Sequence, residues 1–297
     1  MKRRNFLGYS GLGMGLALTA TSCRSSVSDR EIAPPKQLRF TVTDVPTLEE
    51  LERDYEALRQ ALDEILQVPI VFVPVRNYVA AAGDFHNNRL DLAWAGPSEY
   101  VVITARSQAV PLLELTRPGF HSIIVVRADR GIQSLADLKG KTIEMGKPTS
   151  TVRFLGGFKI LQEAGIDPLE EMTISHSSNR GFDALKTGKV DAGVKASITY
   201  QQSLEKGEFK ADEYPIIARG ETLPSDIFVA SSYLDTAFVA EMRDRVLDNS
   251  PRLIAAIHSA SDNFAQRFRD SEFVPADDTN YDIIREIYQL LGEDEFL

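Results

Sequence analysis

The sequence predicts an α/β fold, with mixed, mainly parallel sheets that are covered by helices on both faces. Short apolar runs rich in β-branched residues alternate with longer segments whose apolar residues recur every three or four positions. The chain of 297 residues is 43% hydrophobic and 26% charged, which is typical of a globular protein with an ample core. That length suits either one large domain or two lobes of ordinary size.

Strands and helices alternate from residue 38 onward. The first predicted strand is Leu38–Thr43, and the helix Thr47–Leu66 follows with one apolar face and an acidic first turn. Further strands are predicted at Ile70–Val75, Asp91–Gly96, Ser122–Val126, Thr142–Met145, Met172–Ile174, Val190–Val194 and Ile227–Ala230. Helices are predicted at Thr151–Glu163 and Gly181–Thr187, and the tail from Thr236 to Leu291 is mostly helical. This alternation fits two lobes with a cleft or one doubly wound sheet.

The first residues are typical of an export signal. Basic residues at positions 2–4 precede the apolar stretch Phe6–Ala20, which is too short for a transmembrane helix. Retention of that stretch as a membrane anchor is the alternative. Arg3–Leu7 resembles the twin-arginine signal, although paired arginines also occur in general secretory signals. We predict a signal peptide at 1–22 and a polar tether at 23–36.

Cys23 is the only cysteine of the chain. The run Ala20–Cys23 resembles a bacterial lipobox, with Ala20 where leucine is commonest. Because a lone thiol has neither a disulfide nor a metal partner, the pattern favours lipidation over a structural role, and ordinary cleavage is the alternative. We expect an exported protein on the periplasmic side that touches the membrane only through lipid on Cys23.

The charge balance excludes one class of partner. The chain has 33 Lys and Arg against 43 Asp and Glu, a formal net charge of −10. Nucleic-acid binders need a basic face, so no nucleic acid is expected as a partner. A small anion is not excluded, because neutral donors and helix N-termini bind anions locally.

Three segments near the ends of predicted strands carry groups suited to an anion. Lys147–Thr151 joins a strand to a helix, where hydroxyls and free amides either cap the helix or bind an oxyanion. His176 follows another strand and is either an oxyanion donor or simply solvated. Asp226 is either a turn residue or a carboxylate that accepts a hydrogen bond from a protonated phosphorus oxyanion and repels sulfate.

Enzyme functions find little support. The sequence has no Gly-x-x-x-x-Gly-Lys-Ser/Thr phosphate loop, and the histidines at 86, 121, 176 and 258 lack metal-ligand spacing. Ser150, His176 and Asp226 form a triad on paper only, because no nucleophile elbow accompanies them. We predict no catalysis, no cofactor and no metal.

Together these segments resemble the phosphate-, phosphite- and phosphonate-binding proteins of ABC importers, which have the type II periplasmic binding fold. The resemblance covers residues 38–235. It is carried by Val75–Tyr78, Arg89–Pro97, Leu135–Lys141, Pro148–Thr151, His176 and Leu223–Asp226, of which Leu135–Lys141 is common to many binding proteins. It implies two lobes that close on the anion across a hinged cleft, at 37–125 plus 228–297 and at 126–227.

The resemblance also implies which residues bind the ligand. They are Tyr78, His121, Ser150, Thr151, His176 and Asp226, with Phe120 as the alternative to His121. The family usually continues Ser-Thr-Ser-Gly, whereas this chain has Val152 and Arg153 after the first pair. Arg153 therefore either binds a more highly charged anion in bidentate fashion or lies on the surface. The apolar position around Ile198 argues against an amine-bearing ligand.

The implied function is capture of a small phosphorus oxyanion (phosphonate, phosphite or phosphate) for an ABC importer. The expected partners are the permease and ATPase subunits, and the receptor is expected to be a monomer. A receptor of the same fold for a sulfonate, nitrate or pyrimidine precursor is the main alternative, and a hydrolase that reuses the cleft is the weaker one.

Overall fold

The computed structural model describes residues 34–292. The predicted signal peptide, the lipidation of Cys23 and most of the predicted tether lie outside the described residues. Within 34–292, none of the helices combines the length and the apolar character that a transmembrane span requires.

The strands and helices follow one another along the whole described chain. The strands are β1 (Leu38–Val42), β2 (Ile70–Phe72), β3 (Leu92–Ala95), β4 (Val110–Leu115), β5 (His121–Val126), β6 (Thr142–Met145), β7 (Thr173–His176), β8 (Ala192–Ala196), β9 (Ile216–Thr222), β10 (Asp226–Ala230) and β11 (Phe273–Pro275). The helices are α1 (Leu48–Leu66), α2 (Tyr78–His86), α3 (Pro97–Arg106), α4 (Gly156–Glu163), α5 (Pro168–Glu171), α6 (Asp183–Lys186), α7 (Ser197–Glu205), α8 (Thr236–Asp248), α9 (Ser250–Ser259), α10 (Asp262–Arg267) and α11 (Asp282–Leu290). A single π-helical turn, Thr151–Leu155, leads into α4.

The described strands form two mixed sheets, which confirms the predicted α/β class. The first sheet has the order β11-β4-β10-β3-β1-β2, and the second has the order β7-β6-β8-β5-β9. β1 runs parallel to β2 and β3, and β6 runs parallel to β7 and β8. β10 is antiparallel to β3 and β4, β5 is antiparallel to β8 and β9, and β11 is antiparallel to β4. Parallel pairing thus holds where a helix connects two strands of one sheet.

The chain passes between the two sheets twice. Residues 116–120 lead from β4 to β5, and residues 223–225 lead back from β9 to β10. The lobe limits predicted at 125/126 and 227/228 fall a few residues after these changes of sheet. The reason is that the apolar run of β5 carries no sign of which sheet it joins.

The core of the first sheet is built from α1 and an aromatic cluster. Tyr55 of α1 meets Trp94 edge to face at 5.6 Å between ring centroids, and Trp94 stacks on Phe228 at 5.5 Å. Thr47 caps the helix by accepting from the backbone N–H of Glu50 at 3.2 Å. Burial of each such large side chain contributes roughly 1.5–3 kcal/mol. This packing fixes the ends of β1 and β3, where the site begins.

A glycine lets the end of β6 approach the turn that follows it. A Cβ on Gly146 would lie 2.8 Å from the Cβ atoms of both Ser150 and Arg153, closer than real Cβ atoms come. The backbone N–H of Gly146 donates to the carbonyl of Arg153 at 3.0 Å. The strand end and the π-helical turn are therefore packed backbone to backbone.

Candidate anion-binding site

A cavity of about 430 Å³ lies where residues of both sheets meet, at the carboxyl ends of β3 and β6. In the described part of the chain, the cationic side chains that line it are Arg117, Lys147, Arg153, Arg180 and Arg267. The acidic side chains that line it are Asp44, Glu99 and Asp226. The lining thus carries more positive than negative groups in a chain of net charge −10. Such a local reversal of sign concentrates anions in the cleft.

On the first-sheet side, one carboxylate holds two arginines. Asp226, at the start of β10, is 3% exposed, and its oxygens accept from Arg117 at 3.1 Å and from Arg267 at 3.4 Å. The guanidinium of Arg117 lies 3.6 Å from the ring centroid of Phe120. Burial lowers the pKa of Arg117 to about 10, against the raising effect of Asp226. Both arginines stay charged at neutral pH, and Asp226 offsets one of the two charges.

The second-sheet side begins with the hydroxyls of the π-helical turn. Ser150 Oγ accepts from the backbone N–H of Arg153 at 3.3 Å, so Ser150 caps the turn. Thr151 Oγ1 donates to Ser98 Oγ at 2.9 Å and accepts from the backbone N–H of Ser98 at 3.2 Å. Ser98 Oγ in turn donates to the carbonyl of Thr149 at 2.7 Å. The start of α3 is therefore hydrogen-bonded directly to the loop after β6.

Arg153 is inside the cleft rather than on the surface. Arg153 is 7% exposed, and its Nη2 donates to the carbonyl of Ser177 at 2.7 Å. Nη1 lies 3.5 Å from the carbonyl oxygen of Ser178, and Nε is buried without a hydrogen-bond partner in residues 34–292. Burial lowers the pKa of Arg153, and Glu144 opposes that effect. Of the two interpretations of Arg153, the structure supports the one in which it faces the pocket.

The carbonyls of Ser177 and Ser178 belong to the loop after β7, and a buried ion pair holds the far end of this loop. Lys195 Nζ donates to Glu144 Oε2 at 2.5 Å and also to the carbonyl of Gly181. The side chains of Lys195 and Glu144 are 0% and 3% exposed. Arg180 lies between this anchor and the one made by Arg153, so the loop that carries it is held on both sides.

The carboxyl of Glu99 lines the cavity at the start of α3. Its carboxylate accepts from the backbone N–H of Gly96 at 2.8 Å and from the hydroxyl of Thr43. Burial, together with the nearby charge of Asp44, raises the pKa of Glu99 to about 7. The carboxyl is therefore partly protonated at neutral pH. In residues 34–292, no three or more His, Cys, Asp or Glu are placed to hold a metal ion.

Comparison with known proteins agrees with this geometry. Residues 40–281 match the family described as the ABC transporter, phosphonate, periplasmic substrate-binding protein. The chain belongs to this family. By its description, the family consists of periplasmic substrate-binding proteins of ABC transporters.

Individual relatives of this binding protein span nearly its whole length. The phosphate-import protein PhnD of Mycolicibacterium smegmatis is 22% identical, over 94% of each chain. PhnD1 from Prochlorococcus marinus, in complex with methylphosphonate, aligns with a TM-score of 0.67 at 21% identity, over 88% of this chain and 100% of that one. A Xanthomonas citri protein bound to ATP aligns with a TM-score of 0.70 at 17% identity, over 87% of this chain and 98% of the other. These likenesses confirm the type II periplasmic binding fold.

The structure brings four of the predicted ligand-binding residues of this receptor to one cavity. Ser150, Thr151, Arg153 and Asp226 line it together. Of the two aromatic alternatives, Phe120 lines the cavity and His121 does not. Asp226 lines the cavity with one oxygen engaged by Arg117 and the other by Arg267, and each carboxylate oxygen keeps a second lone pair, so its predicted role stays a prediction. Its charge serves first to hold Arg117 and Arg267.

The remaining predicted residues lie outside the cavity lining. Tyr78 begins α2 and packs half-buried against the core. His121 begins β5, and burial together with Arg219 lowers its pKa. His176 ends β7 as an exposed residue, with Nδ1 2.8 Å from the carbonyl oxygen of Gly146 and its ring 5.7 Å from that of Phe154. The imidazole of His176 thus borders the turn rather than the cavity.

Sequence reasoning missed Arg117, Arg180 and Arg267. Each is an isolated arginine in a loop or at the end of a helix, and such residues are usually solvated. Arg117 lies in the first segment that crosses between the sheets and Asp226 directly follows the second, which is the one signal that would have paired them. That signal becomes visible only when both crossings are recognised.

Proposed function

We propose that this protein captures a phosphorus oxyanion (phosphonate, phosphite or phosphate) in the cavity and delivers it to an ABC importer. The observation that carries the proposal is the cluster of arginines beside the capped turn at Ser150, in a cleft that is more positive than the rest of the chain. Guanidinium groups and the first amides of a helix are the donors that suit tetrahedral oxyanions.

The energetics are sufficient for a transport receptor. Hydrogen bonds to charged groups contribute roughly 1.5–3 kcal/mol each, so three or four of them contribute roughly 4.5–12 kcal/mol, a range that includes the about 8 kcal/mol of a micromolar complex. Two buried Nε–H groups, those of Arg153 and Arg267, have no partner in the described chain. They are donors that a bound anion or water can satisfy.

The relatives support the same class of ligand. One is named for phosphate import, and the Prochlorococcus structure holds methylphosphonate. We propose that the permease and ATPase subunits of an importer are the partners, and that the chain acts as a monomer without catalysis. A lipid on Cys23 would tether it on the periplasmic side after export by the twin-arginine or the general secretory route.

We also propose that the two sheets belong to two lobes that close on the ligand, and that the chain passes between the lobes at 116–120 and 223–225. Closure would exclude water and strengthen each hydrogen bond in the site. Small-angle scattering of the protein with and without saturating ligand tests this. A smaller radius of gyration with ligand is expected, and an unchanged radius contradicts closure.

The test of ligand class is calorimetric titration with phosphate, phosphite, methylphosphonate, sulfate and taurine. We expect a phosphorus oxyanion to bind at micromolar or lower concentration, with sulfate and taurine weaker. Arg252→Met, an exposed substitution on α9 outside the cavity, is the matched control and should bind as the parent does. Binding of taurine or sulfate in preference to every phosphorus ligand would falsify the proposal. Hydrolysis of a phosphoester that is lost on Ser150→Ala would favour the hydrolase.

A further inference from the structure

Resting on the proposed function, we infer that the preferred ligand carries a second anionic group beside its phosphoryl group, and that Arg180 binds this second group. The ligand class is an organic phosphonate or phosphate with a carboxylate or a further phosphoryl group. Arg180 then determines specificity within the class.

The size and lining of the cavity are the first observation. Its volume of about 430 Å³ falls within the range of roughly 300–1,000 Å³ that organic ligands occupy. Besides charged groups, Tyr55, Trp94, Phe120 and Phe268 line it. A bare oxyanion makes no use of these apolar surfaces, whereas a carbon skeleton between two charged groups does.

The state of Arg180 is the second observation. Among residues 34–292 it makes neither a hydrogen bond nor an ion pair, although it lines the cavity. Its strongest electrostatic neighbour is another cation, Arg267, followed by Asp44 and Asp226. Arg267 already shares Asp226 with Arg117. Asp44 and Asp226 offset two of these three arginine charges, which leaves positive charge for a ligand to neutralise.

The loop that carries Arg180 is the third observation. Arg153 donates to the carbonyl of Ser177 at 2.7 Å before it, and Lys195 donates to the carbonyl of Gly181 after it. Lys195 is itself fully buried against Glu144. Burying an ion pair costs several kcal/mol in desolvation, and a hydrophobic pair of similar volume usually gives equal stability. Its use here to fasten the loop fits a role in presenting Arg180 at a defined place.

The fourth observation is that the electrostatic neighbours of Arg180 come from the opposite side of the cleft. Ser150 and Arg153 belong to the π-helical turn on the second-sheet side. Arg180 instead interacts electrostatically with Arg267 of α10, Asp44 and Tyr55, all from the first-sheet side. A ligand that places one anionic group at the turn therefore meets Arg180 and Arg267 with its other end. The apolar Ile198 also lines the cavity, which suits a carbon linker better than an amine.

Calorimetric titration of the protein with methylphosphonate, phosphonoacetate and methylenebisphosphonate tests the inference. One charge-assisted hydrogen-bonded contact corresponds to roughly tenfold to hundredfold in affinity. We expect phosphonoacetate or methylenebisphosphonate, which each carry two anionic groups, to bind at least about tenfold more tightly than methylphosphonate. The two ligands distinguish a carboxylate from a second phosphoryl group.

The variants then assign the effect to Arg180. Arg180→Gln should lower the affinity for the ligands with two anionic groups about tenfold more than it lowers the affinity for methylphosphonate. Arg180→Lys should keep part of the preference. Arg130→Gln, on an exposed turn outside the cavity, should behave as the parent does. Equal affinities of the parent for all three ligands, or an equal loss of all three in Arg180→Gln, overturns the inference and leaves the proposed function intact. Failure of every phosphorus ligand to bind overturns both.

Discussion

The two sides of the cleft hold their arginines in different ways. On the first-sheet side, Asp226 accepts from both Arg117 and Arg267, so a carboxylate offsets part of their charge. On the second-sheet side, Arg153 donates to two backbone carbonyls and Arg180 pairs with no described acidic group. Carbonyl dipoles orient a guanidinium but leave its net charge in place. The comparison teaches that the first side is held mainly by internal ion pairing, whereas the second side keeps its charge for a ligand.

The largest expected effect tests whether the second side depends on its buried ion pair. Lys195→Met removes the cation next to Glu144 and leaves the buried carboxylate without its hydrogen-bonded partner. Loss of one partner of a buried pair costs about 3–5 kcal/mol, so the urea midpoint should fall strongly. The double variant Lys195→Met, Glu144→Leu should recover most of that stability. If it recovers stability but not ligand affinity, the pair acts by fastening the loop of Arg180.

The second prediction tests whether the positive charge of Arg153, on the second-sheet side, contributes to ligand binding. Arg153→Met should weaken methylphosphonate binding by about 1.5–3 kcal/mol, roughly tenfold to hundredfold, because a buried charge-assisted donor is lost. Calorimetry measures the affinity, and thermal unfolding separates it from loss of fold. An unchanged affinity would show that the first side alone supplies the binding charge.

The third prediction concerns the contact between the two sides. Ser98→Ala removes the hydroxyl that accepts from Thr151 and donates to the Thr149 carbonyl. We expect a loss of about 1 kcal/mol in the free energy of unfolding, the usual net value of a neutral hydrogen bond. Affinity should change less than in Arg153→Met. A larger loss of affinity than in that variant would mean that the neutral contact, rather than charge, organises the site.

The smallest expected effect depends on pH. Because the pKa of Glu99 is raised to about 7 from an ordinary value of 4.5, the folded state holds this proton more tightly than the unfolded chain does. The contribution of Glu99 to stability is therefore lost as the pH rises from about 4.5 to about 7. Above that range the carboxylate is charged, so anion affinity should fall several-fold. Glu99→Gln should remove this part of the pH profile, and an unaltered profile in the variant would assign it to the ligand.

The fold was largely predictable from local pattern, since the helix beginning near Thr47 and the apolar strands follow from spacing alone. The capped turn at Ser150–Arg153 that lines the cavity was also predictable, because the strand, the hydroxyl cap and the helix start are adjacent in sequence. The cationic half of the site could not be predicted from local pattern. Arg117, Arg180 and Arg267 stand far apart in the chain, and only the crossing of the segments 116–120 and 223–225 and the packing of α10 bring them together.

His176 is a residue that the sequence suggested for the site and that the structure places beside it. Its place at the end of a strand suggested a ligand donor, yet the imidazole lies beside the Gly146 carbonyl, outside the cavity lining. A strand end locates a residue to within one edge of a sheet, and the side chain still has more than one direction to take. Resolving that direction requires the packing of Phe154 and the adjacent turn.

The fastening of the two crossing segments has a mechanical consequence. The backbone N–H of Arg117 donates to Ser225 Oγ at 3.3 Å, its guanidinium holds Asp226, and Tyr281 donates to the Ser225 carbonyl at 3.0 Å. These hydrogen bonds join the two connections to each other and to the C-terminal segment that carries Tyr281. Any closing motion of the proposed lobes therefore has to bend both connections together.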